Sequence, residues 1–152
     1  MILRSTRTLA IGTCALLAGG AALQAGALAA QDAPPEVVYL FADLEGADEP
    51  GGGDKNGFGD MAVAVKLTEG KFCYELSVGQ IATATAAHVH EGKAGVNGPP
   101  VITIAVTGPK NQVCVDAEGK LLRKIAEKPG DYYVNVHTAD FPTGAIRGQL
   151  QL

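Results

Sequence analysis

Apolar and polar residues alternate along several short segments that are separated by turn-forming residues. In the segment Phe58–Leu67, Met61, Val63 and Val65 point to one side, and the intervening residues point to the other. Such a period of two is typical of a β-strand with one buried face. The segment Lys71–Val78 alternates in the same way after a short glycine-containing turn. The pair therefore predicts a β-hairpin.

Other segments extend this pattern over most of the chain. The segment Ala117–Lys128 changes to a helical period and places Leu121, Leu122 and Ile125 on one face. The glycine- and proline-rich segment Gly46–Gly57 predicts a flexible loop. Eight short strands with one helix predict an all-β fold, an antiparallel β-sandwich of Greek-key type. The six further strands are predicted at Glu36–Leu44, Ala84–Gly92, Val101–Val106, Gln112–Asp116, Asp131–Thr138 and Gly144–Leu152.

The N-terminal segment has the pattern of a signal peptide. Arg4 and Arg7 precede a run of apolar and small residues, Leu9–Ala30. The end of this run carries small residues at the positions that signal peptidase reads, which predicts cleavage after Ala29 or after Ala30. The alternative is an uncleaved membrane anchor, because the run is just long enough to span a bilayer. We expect a signal peptide over residues 1–29 and one domain over residues 30–152.

The balance of acidic and basic residues indicates which kinds of binding partner the protein can have. The full chain has 12 basic and 16 acidic residues, and the predicted signal peptide contains two basic and no acidic ones. The mature chain therefore carries a net charge of about −6, which disfavours nucleic acid and anionic membrane surfaces as partners. Secretion or a periplasmic location is predicted, with no membrane association after cleavage.

The cysteine count agrees with export. Cys14 lies in the predicted signal peptide, so Cys73 and Cys114 remain as a pair. Paired cysteines in an oxidising compartment favour a disulfide. The alternative is two buried free thiols.

All three histidines lie in predicted strands. His88 and His90 are two residues apart, so they share one face, at a Cα separation of ~6.5–7 Å. In a later strand, His137 shares a face with Tyr133 and Asn135. If the two strands are neighbours, the three imidazoles converge and leave an open fourth position, which suits zinc or copper. The alternative is three ordinary histidines on a solvated face.

Arg147 is a further candidate, because it lies in the last predicted strand. A salt bridge to Asp140 or Glu91 is the expected role, and anion recognition beside the histidines is the alternative. No nucleophile motif, catalytic carboxylate pair or phosphate-binding loop occurs in the sequence. The sequence therefore favours a protein that is not an enzyme.

Two blocks of the sequence resemble the CHRD domain, named for the repeats in chordin. They are Cys73–Ile104, with its His-x-His strand and NGP loop, and Tyr132–Leu150, with the ending NVHTADFPTGAIRGQL. The resemblance implies an extracellular, β-rich module of secreted bacterial type. The segment His88–Gly92 is also similar to the copper-binding strand of copper/zinc superoxide dismutase. Only His88 and His90 match histidines of that enzyme. The complete dismutase site needs several more, and this chain has only His137 in addition.

The predicted function is that of a secreted or periplasmic CHRD-type binding module without enzymatic activity. It would interact with an unidentified protein or surface ligand. It would also bind one copper or zinc ion through His88, His90 and His137. The alternatives are a copper-dependent enzyme with superoxide dismutase-like chemistry and a periplasmic metal carrier.

Overall fold

The computed structural model describes residues 36–152, so the predicted signal peptide lies outside the described residues. Within them the chain forms eight strands and one helix, in close agreement with the predicted segments. The strands are β1 (Val37–Glu45), β2 (Phe58–Lys66), β3 (Lys71–Gly79), β4 (Ala84–Glu91), β5 (Pro100–Ile104), β6 (Val113–Asp116), β7 (Tyr132–Thr138) and β8 (Ile146–Gln149), and the helix is α1 (Gly119–Glu127). No helix in this part of the chain combines the length and apolar character needed to cross a membrane.

The eight strands are hydrogen-bonded in one continuous sheet with the order β5-β4-β7-β8-β1-β2-β3-β6. All neighbouring strands are antiparallel. After β5 the chain reaches the other end of the sheet, where the amides of Thr107 and Gly108 donate to the Leu76 carbonyl at 3.1 and 2.9 Å. The all-β class, the strand number and the single helix are confirmed. The sheet curls until it is nearly closed, so one sheet supplies both walls of the core.

The core fills the inside of this curled sheet. The predicted alternation is confirmed in β2 and β3, whose inward side chains are buried, whereas the helix contributes Leu122 and Ile125. In the strands that carry the histidines, Val89, Val134 and Val136 point inward and are fully buried. The histidines on the same strands therefore point to the outer face of the sheet.

The predicted disulfide is confirmed. Cys73 of β3 and Cys114 of β6 are directly opposite each other in the sheet and are bonded. Strand β6 lies at the end of the strand order, with β3 as its only hydrogen-bonded neighbour among the described strands. The disulfide therefore fixes an edge strand covalently to the strand next to it.

Gly148 of β8 lies where two backbones approach closely. A Cβ atom at this position would overlap the carbonyl oxygen of Asp43 in β1. We expect Gly148→Ala to lower the free energy of unfolding by about 1–3 kcal/mol, because backbone atoms must move apart. Urea denaturation measures this change. Gly130→Ala is the matched control, since no described atom lies within 4 Å of its added Cβ, and an equal loss in both variants would contradict the prediction.

Candidate metal centre

Strands β4 and β7 bring the three histidines together. They are antiparallel neighbours, with His88 opposite Asn135 and Ala86 opposite His137. One ring nitrogen from each of His88, His90 and His137 lies within 4.8 Å of the other two. His88 Nδ1 is 3.2 Å from His137 Nε2. The two histidine-bearing strands are therefore neighbours, as the convergence of the three imidazoles requires.

The spacing of the nitrogen atoms can be compared with that of a metal site. Two nitrogens bound at 2.0–2.1 Å to a tetrahedral ion are about 3.3 Å apart. The hydrogen bond between His88 Nδ1 and His137 Nε2 already has this length at 3.2 Å, and an ion would take the place of its proton. The widest pair, at up to 4.8 Å, must close by about 1.5 Å. Rotation of one imidazole about its side-chain torsions is enough for such a movement, so the three residues can hold one ion.

His90 is the most buried of the three histidines, at 8% exposure. Its Nδ1 atom lies 2.8 Å from the carbonyl oxygen of Gly98. Because a carbonyl oxygen only accepts, Nδ1 carries the proton in the neutral ring and Nε2 presents its lone pair. Within residues 36–152 this buried Nε2 atom has no hydrogen-bond partner. A metal ligand requires such a free nitrogen.

His137 is oriented by a similar contact. Its Nδ1 atom donates to the carbonyl oxygen of Pro142 at 3.0 Å, which leaves Nε2 directed at His88. Metal-bound histidines commonly donate their second ring nitrogen to a backbone carbonyl in this way, because the contact fixes both the tautomer and the ring orientation. Two of the three imidazoles therefore have a backbone oxygen that binds Nδ1 and leaves the lone pair of Nε2 available.

Burial also affects the charge of these rings. Desolvation lowers the pKa of His90 and of His137, although the backbone oxygens of Gly98 and Pro142, and for His90 also the nearby Asn135 side chain, act in the opposite direction. The positive charge that His88 can carry lowers both pKa values further. Both rings therefore stay neutral at a lower pH than an exposed histidine, and neutral imidazole is the form that binds metal.

A buried amide and carboxyl lie beside the histidines. Asn135 is 3% exposed, and its Nδ2 atom donates to Glu49 Oε1 at 3.4 Å. In the part of the chain that the structure describes, Asn135 Oδ1 is the second buried side-chain atom without a hydrogen-bond partner. Burial raises the pKa of Glu49, whereas Asn135 and the charge of Arg147 lower it.

Glu49 was not predicted as a site residue, because the segment Gly46–Gly57 was expected to be a flexible loop. The segment is a loop except for a short 3-10 turn at its start, and it packs against the sheet. Residues Gly46–Asp48 form a 3-10 turn, and the amide of Asp54 donates to the carbonyl of Ala145 at 2.8 Å. These contacts fold the loop back on β8 and bury Glu49.

Arg147 lies under the loop between β4 and β5 and is 1% exposed. Its guanidinium donates to Asn97 Oδ1 at 3.2 Å and to the carbonyl oxygens of Lys93 and Val96, each at 2.9 Å. Its guanidinium carbon also lies 3.3 Å from the centre of the Tyr133 ring. All these partners are uncharged.

The expected salt bridge from Arg147 to Asp140 or Glu91 does not occur among the ion pairs of residues 36–152. The reason is the direction of the side chain, which runs beneath the loop instead of into solvent, so that carbonyl oxygens replace carboxylates. The three donated hydrogen bonds hold the guanidinium against the loop.

The fold and the site together define a single β-domain with a three-histidine cluster on the outer face of its sheet. The CHRD domain profile matches residues 40–150, so the chain belongs to the CHRD domain family. This confirms the resemblance of the two sequence blocks to the CHRD domain. No curated protein and no solved structure matches the chain.

Proposed function

We propose that this protein is an extracytoplasmic CHRD-type binding module that holds one copper or zinc ion through His88, His90 and His137. The observation that carries the proposal is the convergence of the three imidazoles, one of which, His90, has a buried Nε2 atom that lacks a hydrogen-bond partner. A buried polar atom without a partner costs roughly 1–3 kcal/mol. A metal bound at this nitrogen removes that cost.

Three neutral imidazole ligands determine which metals we expect to bind most tightly. Imidazole suits both copper and zinc, and the general order of affinity for divalent ions places copper(II) above zinc. Three protein ligands leave one coordination position open. We therefore expect a 1:1 complex with both metals, and tighter binding of copper(II).

A rotated amide is the competing explanation for the two unpartnered atoms. If the Asn135 amide is turned, its NH2 group donates to His90 Nε2, and a protonated Glu49 donates to its oxygen. Such a network satisfies both atoms without a metal, and the raised pKa of Glu49 favours its protonated form. Metal titration separates the two explanations.

The location proposed here is secreted or periplasmic. The Cys73–Cys114 disulfide supports an oxidising compartment, and the sequence pattern of residues 1–29 supports export. The partner we propose is a protein or a surface ligand and not a nucleic acid, since the mature chain is acidic.

Metal titration of the purified protein tests the proposal. Calorimetry with copper(II) and zinc in a non-coordinating buffer should give one site per chain. Loss of a residue that only hydrogen-bonds to a metal ligand typically weakens metal binding about 10–100-fold. His90 is a proposed ligand itself, so we expect His90→Ala to weaken binding at least tenfold. Glu91→Ala is the matched control, since it alters the adjacent exposed residue and keeps all three histidines.

Equal affinities in the His90→Ala and Glu91→Ala variants would contradict the metal centre, and the rotated Asn135 amide would then explain the unpartnered atoms. If copper binds, an assay of superoxide dismutation with the copper-loaded protein separates a binding module or carrier from an enzyme. We expect no turnover above that of free copper, since the cluster has three histidines and no second metal site is apparent among the described residues.

A further inference from the structure

The loop between β4 and β5, residues 92–99, covers the outer face of the sheet beside the histidines. Four hydrogen bonds, donated by the side chains of Arg147 and Gln149, hold it from below or from the side. Arg147 supplies three hydrogen bonds to the loop, at 2.9 to 3.2 Å. Gln149, two positions after Arg147 in β8, donates from Nε2 to the carbonyl oxygen of Gly92 at 2.6 Å. Strand β8 thus fixes a loop that belongs to the other side of β7.

Gly98 connects this loop to the metal centre. Its carbonyl oxygen accepts from His90 Nδ1 at 2.8 Å, and its amide donates to the Tyr133 hydroxyl at 3.2 Å. A Cβ atom at position 98 would overlap the carbonyl oxygen of Glu91. The backbone of the loop is therefore packed directly on the end of β4, next to His90.

The ring of Tyr133 forms a second connection. His90 stacks on this ring at a centroid distance of 4.8 Å and an interplanar angle of 10°. The guanidinium of Arg147 lies over the same ring at 3.3 Å, a cation–π contact. Arg147 thus contacts both groups that fix the His90 ring: the loop that carries Gly98, and the aromatic ring on which His90 stacks.

We propose that Arg147 is a positioning residue for the metal centre and acts on His90 through the loop 92–99. By holding Lys93, Val96 and Asn97 in place, it keeps the Gly98 carbonyl against His90 Nδ1. This contact keeps the proton on Nδ1 and leaves the Nε2 lone pair available to a metal. The planar fork of arginine suits this task, because one rigid group donates to three acceptors in fixed directions.

The metal-binding part of this inference rests on the proposed function, but the tautomer of His90 does not. Two variants disturb the contact to different degrees. Arg147→Gln removes the guanidinium, whereas Asn97→Ala removes one acceptor on the exposed side of the loop. Lys93→Ala is the matched control, because its exposed side chain is lost while its carbonyl oxygen still accepts from Arg147.

The first measurement is 15N NMR of the histidine rings in the metal-free protein above pH 7. Wild type and Lys93→Ala should show His90 with a protonated Nδ1 and an unprotonated Nε2. We expect Arg147→Gln to give a mixture of both tautomers, and Asn97→Ala to give a smaller change in the same direction. The second measurement is the copper(II) affinity, which should fall about 10–100-fold in Arg147→Gln and remain unchanged in Lys93→Ala.

An unchanged His90 tautomer in a folded Arg147→Gln or Asn97→Ala variant would overturn the inference. The same holds if Lys93→Ala changes the tautomer as much as Asn97→Ala does. If Arg147→Gln does not fold, Asn97→Ala decides the question by the same spectra. If wild type binds no copper, the proposed function fails, while the spectra of the metal-free variants still show whether Arg147 sets the tautomer.

Discussion

Replacement of both bonded cysteines, Cys73→Ala together with Cys114→Ala, should lower the free energy of unfolding by about 4 kcal/mol. The bond joins residues 41 positions apart, so it restricts a long segment of the unfolded chain. Its loss leaves the folded contacts of β3 nearly intact but lets the unfolded chain gain entropy. Urea denaturation of the variant and of the oxidised wild type measures the difference.

Reduction provides the control for this prediction. A thiol reductant should destabilise the wild type toward the value of the double variant and leave the double variant itself unchanged. The slope of the free energy against urea should also rise in the variant, since an uncrosslinked chain exposes more surface on unfolding. A loss below about 1 kcal/mol would show that the bond contributes little beyond the pairing of β3 with β6.

The strands and the helix could be predicted because each depends on local periodicity. Met61, Val63 and Val65 alternate with polar or small residues, and this alternation determines which face of β2 is buried whatever strand lies beside it. Likewise, the helical spacing of Leu122 and Ile125 already indicates the face that packs on the core. These features need no knowledge of distant residues.

The burial of the outer face could not be predicted in the same way. Tyr133 and Asn135 alternate with core valines and would be expected to contact solvent, yet both are buried. The loops 46–57 and 92–99 cover them, and glycine and proline indicate only that a loop turns, not where it packs. Glu49 was therefore missed, because its burial depends on contacts between its loop and β8.

The site shows the same division between local and distant information. The shared face of His88 and His90 follows from their spacing alone. The approach of His137 requires that β4 pair with β7, which lies more than 40 residues further along the chain. The role of Arg147 requires one more pairing, that of β8 with β7, and in addition the fold of a loop. Each such step adds a long-range contact that no short segment determines.

Acidification should weaken metal binding only at a lower pH than it does for exposed histidines. The ordinary pKa of histidine is 6.5, and burial lowers the pKa of both His90 and His137 below it. Above pH 6.5 both rings are neutral, so protons do not compete with the metal for them. Between 6.5 and the lowered pKa values they remain neutral, and their contribution to the affinity is kept.

Below both lowered pKa values, each of these rings must lose a proton before it binds. The affinity should then fall about tenfold per pH unit for each ring, or about 100-fold for the two together. Copper(II) titrations from pH 7.5 to pH 5 measure this dependence. The peptide of residues 86–92 is the control, because its two histidines are exposed and lose affinity from about pH 6.5 downward.

The stability of the metal-free protein gives an independent check that the pKa values of His90 and His137 are lowered. A histidine with a lowered pKa in the folded state takes up protons more readily when the chain unfolds, so stability should decline as the pH falls from above 6.5 toward the lowered values. His137→Gln should reduce this decline, since it removes one of the two rings whose pKa is lowered. A protein whose copper affinity falls in parallel with that of the peptide would show that burial does not keep His90 and His137 neutral.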